Sequence, residues 1–279
     1  MIIWLASYPK SGNTLLRSIL SSYFYSKEGE FSFNNLNHIT QFPLTSQFMS
    51  AGINIDNDEE VFKNFINVQN FLNQEKGKVK FLKTHSALCN MHGCNFTDLN
   101  NTLGVIYIVR DPRNVVNSLA HHNDLSIAEA ADTMIDNQKF LVKSVKNCRV
   151  FLGSWNFNYN SWKNLQIKNK YLLIKYEDLI NKKKSTMLKI LKFIDQLGMK
   201  SQLDIVKLNK AIKSTDFKKV KNLEKKEIFY EGVLDKNTGK RKTFFNLGPD
   251  NDWRRFLDDK IKIKLEKAFE KEMLELEYL

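Results

Sequence analysis

An α/β fold built on a central parallel sheet is what this sequence predicts, on three observations. Short apolar runs alternate with longer amphipathic ones. The turns with unusual chemistry follow the short runs. The 279 residues include only 4 Pro and 11 Gly, too few for long flexible linkers. Strand and helix in alternation place helices on both faces of a parallel sheet. The length suits one large α/β domain or two small ones, and 42% hydrophobic with 27% charged residues is an ordinary globular balance.

The elements follow in order. Ile2–Ser7 reads as a buried strand broken by Pro9 and Gly12, and Asn13–Tyr25 as a helix. Residues 26–77, rich in Asn and Phe with weak periodicity, read as loops and short helices. Val79–Thr84 and Leu103–Val109 are further β-rich runs. After the second, Asp111-Pro112 supplies an N-cap and first-turn pair for a helix to about His121. Ser126–Asn147 has helical spacing, with Ile127, Ala130, Ala131, Met134 and Ile135 as its core stripe. Tyr171–Tyr176 is another strand. Met187, Ile190, Leu191 and Ile194 then mark a packed helix, and Ile261–Leu274 a charged one near the C-terminus.

Formal net charge is +12, from 43 Lys and Arg against 31 Asp and Glu. That balance suits nucleic acid, an anionic membrane or a small polyanionic ligand. Lys182–Lys184, Lys218–Lys226 and Lys240–Lys242 carry much of the excess and read as solvated faces. A nucleic-acid binder would cluster basic and aromatic residues on one element, whereas the basic motif residues here lie at strand ends. Met1–Ala6 and Val105–Val109 are far too short to span a bilayer. No basic segment precedes Met1–Ala6, which therefore reads as a strand rather than a signal peptide. Cys89, Cys94 and Cys148 are odd in number without metal-ligand spacing, as expected of reduced thiols in a cytoplasmic protein.

In parallel α/β sheets the ligand sits beyond the carboxyl ends of the strands. Tyr8-Pro9-Lys10-Ser11-Gly12-Asn13-Thr14 occupies such a strand-to-helix turn. Its main-chain N–H groups, the helix start and Lys10 all suit a phosphate, with Ser11, Asn13 and Thr14 as side-chain donors. It is not the nucleotide-triphosphate loop Gly-x-x-x-x-Gly-Lys-Ser/Thr, since Lys10 precedes the only Gly. A plain capping turn is the alternative. Arg110 follows a second strand and suits a bidentate phosphate contact, with Ser118 two turns into the next helix. A structural Arg110–Asp111 ion pair is the alternative there. Lys83-Thr84-His85 ends a third strand, and a His titrating near neutrality suits general-base work. His38, His92, His121 and His122 have no comparable setting.

This ordered set resembles the PAPS-dependent sulfotransferases, in which PAPS is 3′-phosphoadenosine 5′-phosphosulfate. Tyr8–Thr14 resembles the 5′-phosphosulfate loop, and Arg110-Asp111-Pro112-Arg113 with Ser118 the 3′-phosphate segment. Lys83-Thr84-His85 resembles the catalytic segment. Tyr176-Glu177-Asp178 resembles a segment whose Tyr contacts adenine, although Asp178 also reads as a helix cap. Thr215-Asp216-Phe217 resembles the later Thr-x-Phe segment. Leu15 stands where many relatives have a Trp. In Asn246–Trp253, Gly248 and Asp252-Trp253 match the family's C-terminal loop but its Arg-Lys pair is missing. Lys240, Arg241 and Lys242 are candidates for the missing charge.

The resemblance implies a single P-loop-like domain over residues 1–279, with Lys10, Lys83, His85 and Ser118 as catalytic residues. Lys10, Ser11, Gly12, Asn13, Thr14 and Leu15 would bind nucleotide, as would Arg110, Ser118, Tyr176, Thr215, Phe217 and Gly248. His85 takes the acceptor's proton, although some relatives use a carboxylate, for which Glu59 and Glu60 are candidates. PAPS is the co-substrate, 3′-phosphoadenosine 5′-phosphate (PAP) the product, and no metal is implied. The acceptor is a small molecule, lipid or carbohydrate bearing a hydroxyl or amine. Neither nucleic acid nor a membrane span is expected. Trp155, Phe157, Tyr159 and Trp162 line an aromatic acceptor pocket or belong to the core. The small-molecule kinases are the rival enzyme class, requiring a Lys-Ser/Thr after a second Gly and an acidic metal ligand.

Overall fold

Ile2–Ser7 is buried along its whole length, and the sheet is built outward from it. The structure, a computed structural model, describes residues 1–75, 77–200, 202–234 and 238–279. The strands are β1 (Ile2–Ser7), β2 (Lys80–Thr84), β3 (Asn90–Met91), β4 (Cys94–Asn95), β5 (Thr102–Val109), β6 (Phe140–Leu141), β7 (Val150–Phe151) and β8 (Tyr171–Lys175). The central sheet has the order β2-β1-β5-β8 and every pairing in it is parallel.

The first helices are α1 (Asn13–Tyr25), α2 (Thr45–Ser50), α3 (Asp58–Lys63) and α4 (Phe65–Leu72). Next come α5 (Pro112–Asn123), α6 (Ile127–Ile135), α7 (Trp155–Lys163), α8 (Tyr176–Asn181) and α9 (Lys183–Gln196). Last are α10 (Ile205–Ser214), α11 (Phe217–Lys226), α12 (Trp253–Phe256) and α13 (Asp259–Glu275).

Alternation along β1 sends Ile2, Trp4 and Ala6 to one face and Ile3 and Leu5 to the other. The first face packs on α5, α6, α7 and α13, the second on α1, α9 and α10. With both faces covered, the strands are near-continuous apolar runs, as parallel sheets require. Trp4 anchors the first face, its Nε1 donating to Thr102 Oγ1 at 3.0 Å. Full burial of such a side chain contributes roughly 2–3 kcal/mol. The result is one α/β domain whose strand ends point to a common side.

Local chemistry sets the boundaries that position the site. Asp111 caps α5, accepting from Arg113 N at 2.9 Å, and Pro112 fills the first helical position. Ser126 and Glu129 form a capping box that starts α6.

The helix expected over Ser126–Asn147 is corrected: α6 ends at Ile135. Phe140 and Leu141 then turn back as β6 to pair with β7, Phe140 meeting Phe151 edge-on at 5.1 Å. Continued helix would have denied Phe140 that partner. Asp178 does not cap its helix. Lys175 is the N-cap, Tyr176 opens α8, and Asp178 lies in its first turn.

Residues 26–77, apart from the undescribed residue 76, do more than form loops. Phe42, Phe48 and Phe65 are buried and pack with Phe96 and Trp4 in one aromatic cluster. Glu59 and Glu60 lie on the outer surface of α3, with Glu59 paired to Lys63. Trp155, Tyr159 and Trp162 are core residues under the sheet, Trp162 Nε1 donating to Ser86 O at 3.0 Å.

Candidate active site

The carboxyl ends of β1, β2, β5 and β8 open onto a cavity of about 1600 Å³. The turn after β1 is shaped by left-handed backbone at Lys10 (φ 66°) and Gly12 (φ 101°). Glycine is needed at the second, where a Cβ would lie 2.4 Å from Tyr176 Cδ2. Asn13 ties α1 back to β1, its Nδ2 donating to Leu5 O at 2.8 Å and Ser7 Oγ at 3.2 Å. Its Nδ2 is committed while its Oδ1 is buried without a partner, and α1 offers the cavity its first-turn main-chain N–H groups. Ser11 Oγ is buried and lacks a hydrogen-bond partner.

Arg110, at the end of β5, is buried with its guanidinium carbon 4.2 Å from the Tyr176 ring centroid. Nη1 donates to Lys10 O at 3.2 Å and Ser118 Oγ at 3.4 Å, while Nε is buried without a partner. Asp111 pairs with Arg113 at 2.8 Å, which leaves Arg110 to the cavity and removes the structural-pair alternative. Asn251 reaches Ser118 from the C-terminal loop, Nδ2 donating to Ser118 Oγ at 3.0 Å. The far wall carries Leu15, Tyr176, Thr215, Phe217 and Gly248. Gly248 lies against Phe217, where a Cβ would fall 2.2 Å from Cε2. The Thr215 hydroxyl closes its own helix, donating to Ala211 O at 2.7 Å.

Lys83 and His85 enter from the end of β2. His85 Nδ1 lies 2.7 Å from Ser7 O, a contact only an N–H makes, so Nε2 carries the free lone pair. Burial, then Lys83, pushes the imidazole pKa down to about 3. Burial, then Lys83, also lowers Lys10 to about 7, against the opposing pull of Glu231. Lys10 Nζ stands 4.0 Å over the Phe244 ring.

Glu231 lies among these cations. Its carboxylate pairs with Arg17, with Lys83 Nζ at 3.3 Å, and accepts from Thr14 Oγ1 at 3.4 Å. Burial alone would raise this carboxyl, but Lys83 and Arg17 overcome it and hold the group far below the usual carboxylate range.

The structure therefore brings the motif residues of separate strands into one cavity, with Ser11 buried behind its wall. It does not bring Lys240, Arg241 or Lys242 there. Lys242 Nζ bonds Asp124 and His121 O, and Arg241 donates to Phe229 O at 3.3 Å. Lys183 lines the cavity instead. Trp155, Phe157, Tyr159 and Trp162 are also absent from its walls.

Sequence reading missed Arg17, Glu231 and Phe244, and passed over His122. Burial, then Lys10 and Lys83, lowers the His122 pKa to about 3. Arg17 carried one usable signal, an arginine on the apolar face of α1 at a position that is buried. Glu231 carried none. Among the described residues no cluster of His, Cys, Asp or Glu is arranged to hold a metal ion.

The family model for the sulfotransferase domain matches residues 2–277. Sulfotransferase 2A2 of Rattus norvegicus is 28% identical over 177 residues, 61% of this chain and 56% of the relative. The 3-beta-hydroxysteroid sulfotransferase of Cavia porcellus is 28% identical over 151 residues, 54% of this chain and 49% of the relative. The chain thus spans about half the length of these curated relatives. A crystal structure of mouse sulfotransferase SULT7A1 complexed with PAP aligns with a TM-score of 0.60 at 18% identity, over 97% of this chain and 83% of that one. At that identity the likeness is one of fold.

Proposed function

The chain belongs to the sulfotransferase-domain family, and from that premise we propose that residues 1–279 act as one PAPS-dependent sulfotransferase domain. One observation carries the reading. Arg110 Nε is buried without a partner beside Lys10, whose own charge is disfavoured. Buried polar groups are rarely left unpaired. An anionic ligand entering the cavity beside Arg110 and Lys10 would satisfy both, and the phosphates of PAPS supply that charge.

Residue roles follow from position. Arg110 and Ser118 hold the 3′-phosphate, and Asn251 fixes the Ser118 hydroxyl. Tyr176, Leu15 and Phe217 flank the adenine, with Thr215 and Gly248 shaping the wall behind them. Lys10, Ser11, Gly12, Asn13 and Thr14 receive the 5′ end, Asn13 through its main chain. PAPS supplies the activated sulfuryl group, which passes to the acceptor oxygen or nitrogen while PAP leaves. Lys10 stabilises charge on the departing phosphate oxygen, and Lys83 holds the sulfonate. His85 Nε2 accepts the acceptor's proton. Its low pKa in the ligand-free cavity keeps it unprotonated, and a neighbouring anion raises its basicity.

The acceptor side is formed by residues such as Gln41, Leu44, Thr45, Leu141 and Val142. This mixed lining suits a small-molecule, lipid or carbohydrate acceptor, and one relative's name specifies a hydroxysteroid. The three free cysteines suit a reducing, cytoplasmic setting. No described helix is long and apolar enough to cross a membrane.

The test is transfer of labelled sulfate from PAPS to a panel of phenols, sterols, amines and sugars in EDTA. Transfer that survives EDTA supports the reading. No transfer to any acceptor, or a strict Mg²⁺ requirement, contradicts it.

A further inference from the structure

Glu231 occupies the place where the proposed reaction needs an anion. Its carboxylate engages Thr14 Oγ1 and Lys83 Nζ, the donors assigned above to the 5′-phosphosulfate. It also closes the charge of Arg17, which is buried and otherwise held by Ile39 O at 2.7 Å and the Tyr230 hydroxyl at 3.2 Å. The segment that delivers it is anchored on both sides. Phe229 is fully buried against Phe33 and Leu36. Beyond Glu231, Lys242 N donates to Val233 O at 2.9 Å, and Arg241 reaches back to Phe229 O at 3.3 Å. The main chain is thus pinned, and the carboxylate reaches the cations through its own rotatable side chain.

Building on the sulfotransferase reading, we propose that Glu231 is an internal competitor for the 5′ end of the nucleotide. It occupies the phosphosulfate donors in the free protein, yields them when PAPS enters, and, once the sulfonate has left Lys83, competes through Thr14 with the 5′-phosphate to expel PAP. Two like charges sharing Lys83 and Thr14 inside a low-dielectric cavity repel strongly, so both anions do not stay there together. Protonation is a poor escape for Glu231, because Lys83 and Arg17 favour its charged form. Withdrawal of the side chain is the remaining route. The arrangement keeps the cations neutralised without ligand and gives product release a partner on the protein itself. Release of product or opening of a site limits turnover in many enzymes.

The experiment compares wild type, Glu231→Gln and Glu231→Asp by calorimetry with PAP and with adenosine 3′-phosphate, which lacks the 5′ group. Stopped-flow displacement of PAP supplies the release rate. Glu231→Gln is expected to bind PAP about tenfold tighter or more, the gain from opening a site that is free a tenth of the time or less. PAP release should slow by a similar factor, and adenosine 3′-phosphate affinity should be unchanged. A merely structural role for Glu231 would loosen the site and weaken both ligands.

Glu231→Asp keeps the charge but shortens the arm, so it should show a smaller gain for PAP alone. That comparison stands if Glu231→Gln fails to fold. Unchanged or weaker PAP binding by a folded variant overturns the proposal. If wild type shows no preference for PAP over adenosine 5′-phosphate, the sulfotransferase reading itself fails, a result distinct from any outcome for Glu231.

Discussion

The two halves of the cavity are built by different means. The nucleotide half rests on strand ends and helix starts: Lys10 after β1, Lys83 near the end of β2 and His85 just past it, Arg110 after β5 and Tyr176 after β8. Each is fixed by a bond or close contact to another element, as Arg110 is to Lys10 O and Ser118. The acceptor half is edged by the segment between β6 and β7, where Val142 is 81% and Val145 95% exposed. A wall of regular elements holds charge in place for one fixed ligand. A wall of connecting segments has little packing to lose and is free to differ between proteins.

That contrast is sharpened first by removing the proposed base. His85→Ala is expected to lower turnover by roughly 10²–10⁴ while nucleotide affinity stays within a few-fold, measured by initial rates at saturating PAPS beside a PAP titration. Near-full turnover on a hydroxyl acceptor would take His85 out of the mechanism. Glu59 and Glu60 lie outside the cavity and would not take its place.

Next in size is Arg110→Ala. Loss of a charge-assisted hydrogen bond should weaken PAP binding by about ten- to a hundredfold and leave adenosine 5′-phosphate binding nearly unchanged. Equal loss for both nucleotides would place Arg110 away from the 3′-phosphate.

A smaller effect comes from Lys10. Its pKa is lowered to about 7 in the free cavity, and a bound anion raises it again. PAP affinity should therefore be full below about pH 7 and fall as pH rises, by up to about tenfold per unit, with proton uptake on binding. Lys10→Ala should bind PAP more weakly, turn over more slowly and lose this slope. A pH-independent affinity in wild type would show that Lys10 is charged before the ligand arrives.

The smallest effect belongs to the exposed rim. Val142→Ser should change acceptor KM by only a few-fold and leave PAP affinity alone, since a largely exposed side chain has little burial to lose.

The nucleotide half was also the half that could be read from sequence. Phosphate needs Lys, Arg, Ser and Gly at strand ends, and that need leaves residue types in a fixed local order. The helix Asn13–Tyr25 was legible for the same reason, with Pro9 and Gly12 closing the strand before it. Ser126–Asn147 was not, because its apolar residues keep helical spacing past Ile135 while Phe140 is claimed by distant Phe151.

Residues 26–77 hid a core layer because helices as short as Thr45–Ser50 and Asp58–Lys63 repeat no period. Lys240–Lys242 looked available until Asp124 claimed Lys242. Glu231 lies 217 positions from Thr14 and 148 from Lys83, and only the tertiary fold places them together.

The cavity is proposed to take a nucleotide with phosphate at both ends, and the wild-type protein tests that directly. Calorimetry should be run with PAP, with adenosine 5′-phosphate, and with ATP and Mg²⁺, in one buffer. PAP should bind about ten- to a hundredfold more tightly than adenosine 5′-phosphate, the worth of the Arg110 and Ser118 contacts, and ATP with Mg²⁺ should gain nothing over it. Equal affinity for PAP and adenosine 5′-phosphate, or tightest binding of ATP with Mg²⁺, would contradict it.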